Sequence, residues 1–178
     1  MIEDVLKRIQ TQVSTNLAAE LTTEAARWAA TDPLTLVTVA SAQIHIEDVL
    51  TPSTEDVYPA IFLVPVAAED AKPSFRIGVK SGAGVKDSTH RIDVRLAIVG
   101  QDPAEVAKRL FRTLRALEIT LEKYLPVDGA TTSALSINNA HVTGKRYFDK
   151  ETNGSDFRQT AVIDLEVMER VMAYAGTT

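Results

Sequence analysis

Residues 91–122 read RIDVRLAIVGQDPAEVAKRLFRTLRALEITLE, and in this segment an apolar strand passes directly into a capped amphipathic helix. Asp102 stands in the N-cap position, Pro103 occupies the first turn, and Glu105 follows three residues after the cap. The apolar residues of the helix recur at spacings of three and four and form one stripe: Val106, Ala107, Leu110, Leu114, Leu117 and Leu121. We therefore predict a strand followed by a helix whose apolar stripe packs on a sheet.

The opposite side of this helix carries a basic face, which we define as Lys108, Arg112, Arg115 and Ile119. Basic residues on a helix are ordinarily solvated, but an apolar residue among them hints at contact with another molecule. We therefore name the basic face as a candidate subunit interface. We expect its side chains to point away from the sheet and to matter little for the isolated fold.

Further elements are predicted on the N-terminal side of this segment. A drifting apolar stripe over residues 2–28 predicts a long amphipathic helix. The β-branched residues from 36 to 46 predict a strand, and the apolar run 61–66 predicts a strand that is covered on both faces. Pro59 and Pro65 should bound that second strand, because proline cannot donate to a β-ladder.

Two more strands are predicted after the central helix, at residues 136–148 and 157–170. Residues 157–170 alternate between apolar and polar side chains, which predicts one buried and one wet face. Glycine-rich or polar stretches predict protruding loops or arms near residues 67–90 and 149–156. The order of elements predicts one α+β domain over residues 1–178, with the N-terminal and central helices packed on one face of a mainly antiparallel sheet.

Composition restricts the function classes. The chain has 178 residues, 45% of them hydrophobic, which suits a single domain with a sizeable core. Its net charge of −5 disfavours a dedicated nucleic-acid binder, which needs a basic surface to neutralise phosphates. The absence of cysteine excludes disulfides and thiolate chemistry. No apolar run approaches the roughly 20 residues of a membrane span, so we expect a soluble protein without membrane partners.

The residue types that carry chemistry form no recognisable motif. The three histidines lie far apart in the sequence and lack a metal-binding spacing: His45, His90 and His141. The stretch 78–86 has glycines and lysines but lacks the G-K-[ST] ending of a phosphate loop. We therefore expect no catalytic residue, metal site or cofactor. The alternative of another class is a small-ligand α+β enzyme that uses one or more of these histidines.

Three acidic residues near the C-terminus are a further candidate site. Asp164, Glu166 and Glu169 lie close together in the last predicted strand, where alternate residues share a face, and could form a carboxylate pair or a cation site. Acidic residues on a strand more commonly form a solvated face. We interpret these three in that way.

A resemblance to a known protein family supplies a hypothesis about function. The opening helix is followed by YPAIFLVP, then by RIDVRLAIVG passing into DPAEVAKRLFRTLRALEITLEK, and finally by FRQTAVIDLEVMER. Over residues 1–172 this succession resembles the minor neck proteins of long-tailed bacteriophages. It is most similar to tail terminators, which are also called tail completion proteins.

The resemblance implies a small α+β domain that assembles as a hexameric ring on the head-proximal end of the tail tube. Such a ring ends tail growth and joins the tail to the head. The implied partners are further copies of the chain, the tail tube protein, head connector proteins and the tail sheath, while DNA passes through without specific binding. This viral structural protein would be assembled in the host cytoplasm and reside in the neck of the virion. The alternatives are a head–tail connector or head completion protein, and a nucleic-acid module with salt-dependent binding.

Overall fold

The computed structural model describes residues 2–46, 58–70, 84–125 and 135–173, and this part of the chain forms two long helices and a six-stranded sheet. The predicted α+β class, with its N-terminal and central helices, is confirmed. The elements in chain order are α1 (Ile2–Trp28), β1 (Ile44–Ile46), β2 (Ala60–Asp70), β3 (Gly84–Gly100), α2 (Pro103–Tyr124), β4 (Leu135–Tyr147), β5 (Glu151–Asn153) and β6 (Asp156–Ala173).

The sheet has the strand order β1-β2-β3-β6-β4, and β5 pairs with β6. Among the strands of the described residues only the pair β1–β2 is parallel, so the sheet is mostly antiparallel, as predicted. Because β3 and β4 both run antiparallel to β6, they are parallel to each other, and α2 connects them across the intervening strand. The long β3–β6 ladder, from Gly84↔Ala173 to Gly100↔Phe157, forms the centre of the sheet.

The main core lies between the two helices and one face of the sheet. Helix α2 buries the leucines of its predicted stripe, and its cap forms as predicted, because the Asp102 carboxylate accepts from the N–H groups of Ala104 (2.7 Å) and Glu105 (3.2 Å). Such a cap contributes about 1 kcal/mol. The helices and the sheet supply the following fully buried residues to this core, among others: Val5, Ile9, Val13, Leu110, Leu117, Leu121, Val94, Leu96, Ile163 and Val167.

The opposite face of the sheet carries a second, smaller apolar cluster. Phe62 and Val64 alternate with the core residues of β2 and are buried together with Ala60 and Ala97. The prediction that residues 157–170 have one buried face is confirmed at Ala161, Ile163, Leu165 and Val167. The prediction that the other face is wet fails at Val162, which is fully buried.

Three predictions about the first strands are wrong in detail. The segment 36–46 is not one strand, because only Ile44–Ile46 pairs with β2, after an irregular stretch and one turn of 3-10 helix. Pro65 does not end β2, which continues to Asp70. The short β1 reaches only Leu63 of β2, and the β2–β3 register shifts beside Pro65, so no ladder hydrogen bond is required from this proline. Val66 is 60% exposed and not covered as predicted.

The two predicted arms have different outcomes. The ends of the segment 67–90 belong to paired strands, with Ala67↔Arg91 and Asp70↔Ser88, and residues 71–83 lie outside the described residues. The segment 149–156 contains β5, which turns directly into β6 through Gly154 and Ser155. Gly154 has a φ of 64°, a conformation that glycine adopts without steric cost and that suits a tight hairpin.

Neither of the two described helices combines the length and the apolar composition that crossing a bilayer requires.

Candidate functional site

The basic face of α2 contacts the end of α1 within the same chain. The Lys108 ammonium lies 3.0 Å from the Asp32 carboxylate, just past the end of α1. The Arg112 guanidinium donates to the carboxylate of Asp32 at 2.7 Å and to its backbone carbonyl at 2.8 Å. The same guanidinium lies over the indole ring of Trp28, 5.0 Å from the ring centroid. Lys108 and Arg112 therefore stabilise the packing of α2 against the C-terminal end of α1.

Arg112 is only 7% exposed, so the expectation that it points away into solvent is wrong. The apolar stripe of α2 indicated which side faces the sheet, but it did not show that α1 covers a second side. Since Asp32, just past the end of α1, supplies a carboxylate and a backbone carbonyl there, the matching residue on α2 is polar and does not appear in an apolar pattern.

The other three residues of the basic face are more accessible than Arg112. The side chains of Lys108 and Arg115 are 50% and 51% exposed, and Arg115 lies 3.5 Å from the carboxylate of Glu24. Ile119 is partly buried. A role for these residues at a subunit interface stays a prediction.

A second polar contact between the helices lies at the other end of α2. The Glu20 carboxylate accepts from the Lys123 ammonium at 2.9 Å and from the Tyr124 hydroxyl at 3.0 Å. The hydrogen bond from Lys123 lowers the pKa of Glu20, and the same bond raises the pKa of Lys123. Near Asp32, the hydrogen bond from Lys108 likewise lowers the pKa of the Asp32 carboxyl. Both acids are therefore held ionised by cations of the partner helix.

The three histidines occupy separate places in the sheet. His90 is buried in β3 with its Nε2 atom 2.5 Å from a carboxylate oxygen of Glu169 in β6. His45 in β1 stacks on Phe62 with 5.0 Å between the ring centroids, and His141 in β4 is exposed. Strands are about 4.8 Å apart, and β1 and β4 are the two ends of the strand order, so His45 and His141 lie roughly 19 Å apart across the sheet. They are also offset along the strands, because the register aligns His45 with Arg146 and not with His141. The fold does not assemble them into one site.

Each acid of the candidate cation site has a basic partner of its own. The Arg146 guanidinium bridges Asp164 at 2.5 Å and Asp93 of the neighbouring strand at 2.8 Å. Glu166 lies 3.7 Å from Arg91, whereas Glu169 points to the other face of the sheet and pairs with His90. Among the described residues, no three metal-ligating side chains come together. These acids serve cross-strand pairing.

Phe111 of α2 and Tyr147 at the end of β4 form an exposed aromatic pair that was not predicted from the sequence. The rings meet edge to face, with 5.3 Å between their centroids and an interplanar angle of 61°. Phe111 is 50% exposed and Tyr147 is 51% exposed. The neighbouring ion pair Lys145–Glu118, at 2.6 Å, also joins β4 to α2. The one feature of the sequence that could have indicated this pair is the position of Phe111 outside the apolar stripe of the helix.

A second apolar surface lies at the C-terminal end of α1. The irregular chain after the helix folds back there and leaves an open cleft of about 460 Å³. We name it the alanine cleft, and its walls include Thr22, Ala25, Ala26, Ala29, Pro33 and Leu34. The small alanine side chains on the helix leave this cleft shallow and open to solvent.

Comparison of the chain with models of known protein families and with curated protein sequences gives no match. The resemblance to phage neck proteins therefore depends on the order and character of the elements themselves.

Proposed function

We propose that this protein is a bacteriophage tail terminator, a structural protein that forms a hexameric ring on the head-proximal end of the tail tube. The observation that carries the proposal is that the segments which resemble neck proteins are the framework of the fold. They form α1, the buried strand β2, the β3–α2 unit and the closing strand β6. The proposed ring ends tail growth and presents a docking face to the head.

The polar groups support a structural function. His90 and Glu169 are paired between neighbouring strands, and Asp93 and Asp164 share Arg146 of β4. Glu20 and Asp32 are paired with basic residues of α2. Groups in such pairs are engaged in holding elements together and are not directed at a shared substrate pocket. This arrangement favours a scaffold over the small-ligand enzyme.

The proposed partners follow from the position in the neck. They are further copies of the chain, the tail tube protein, the head connector proteins and the tail sheath. DNA passes through the ring without specific binding, which the net charge of −5 suits, because a protein of net negative charge repels phosphates. The protein resides in the virion.

Negative-stain electron microscopy of labelled protein mixed with uncapped tail tubes tests the proposal. We expect one ring at one end of each tube, and we expect tubes that were first capped with unlabelled protein to exclude the label. Label along the whole tube, or only at isolated head portals, would overturn the assignment. Label at portals would favour the head–tail connector in its place.

A further inference from the structure

We draw no further inference here: the strongest candidate, the exposed surface patch formed by Phe111 of α2 and Tyr147 of the edge strand β4, carries nothing, because no feature of the described residues shows which partner covers it.

Discussion

Arg112 of α2 donates two hydrogen bonds to Asp32, one to its carboxylate at 2.7 Å and one to its backbone carbonyl at 2.8 Å. Asp32 lies just beyond the C-terminal end of α1, so the side chain of Arg112 holds in place the segment that follows the helix. The guanidinium also covers the ring of Trp28, which adds a cation–π contact to the same junction. The junction forms one border of the alanine cleft through the adjacent Pro33.

Replacement of Arg112 tests the importance of this junction. Arg112→Met should lower the free energy of unfolding by about 1 to 3 kcal/mol, because two charge-assisted hydrogen bonds are lost at a side chain that is largely buried. Urea unfolding followed by circular dichroism measures the change. Arg115→Met is the matched control on the same helix, and since its side chain is 51% exposed we expect a change within about 0.5 kcal/mol. Equal losses of stability in both variants would show that the contact between Arg112 and Asp32 does not stabilise the fold.

Those parts of the fold that depend on local signals could be predicted from the sequence. Asp102, Pro103 and the leucines of α2 lie next to one another in the chain, and their cap and stripe need no information about distant residues. The alternation in β6 is equally local, and its buried face formed as predicted.

The parts that could not be predicted depend on partners remote in the sequence. Val37 is exposed and Val39 buried within a stretch rich in β-branched residues, where only three residues find a strand to pair with. Arg112 is separated from Asp32 by 80 residues, and Phe111 from Tyr147 by 36, so neither contact leaves a spacing that the sequence displays. The alanine cleft depends on how the chain after α1 folds back, which no residue pattern in that chain specified.

The buried pair of His90 and Glu169 should be a point of strong coupling between β3 and β6. Either His90→Leu or Glu169→Leu alone should destabilise the fold by about 1 to 3 kcal/mol, because the partner that remains is buried and has lost this hydrogen bond. The double variant His90→Leu/Glu169→Leu should be destabilised by less than the sum of its two single variants. Additive effects in this double-mutant cycle would show that the pair is not coupled.

His141 provides the control for that experiment. It is exposed on β4, and His141→Gln should change stability by no more than about 0.5 kcal/mol. A turnover of any tested substrate that is lost in His141→Gln, with the fold intact, would favour the small-ligand enzyme over the structural protein.

The apolar stripe of α2 should carry much of the stability of the subunit. Leu114 is 2% exposed in the main core, and Leu114→Ala should cost about 2 to 5 kcal/mol through the cavity that it leaves. Glu122→Ala, at an exposed position of the same helix, should stay within about 0.5 kcal/mol of wild type. Thermal unfolding of both variants measures the difference. A loss of stability below about 1 kcal/mol in Leu114→Ala would contradict the burial of Leu114 in the core.

The contact of Glu20 with Lys123 predicts acid sensitivity at the junction of the two helices. The hydrogen bond from Lys123 lowers the pKa of Glu20 in the folded protein below its ordinary value of 4.5. Since the folded pKa is the lower one, this contact stabilises the fold fully above pH 4.5 and loses its effect as the pH falls through the folded pKa.

Unfolding experiments across that range should therefore separate wild type from two variants. Glu20→Gln cannot ionise, and Lys123→Met leaves Glu20 without its main partner, so in both variants stability should fall less steeply below pH 4.5. Part of the wild-type slope should remain, because the hydrogen bond from Arg170 also lowers the pKa of Asp87 on a different pair of strands. An unchanged slope in both variants would show that the contact between Glu20 and Lys123 contributes nothing in solution, and that the apolar residues and the Arg112 junction hold α1 against α2 without it.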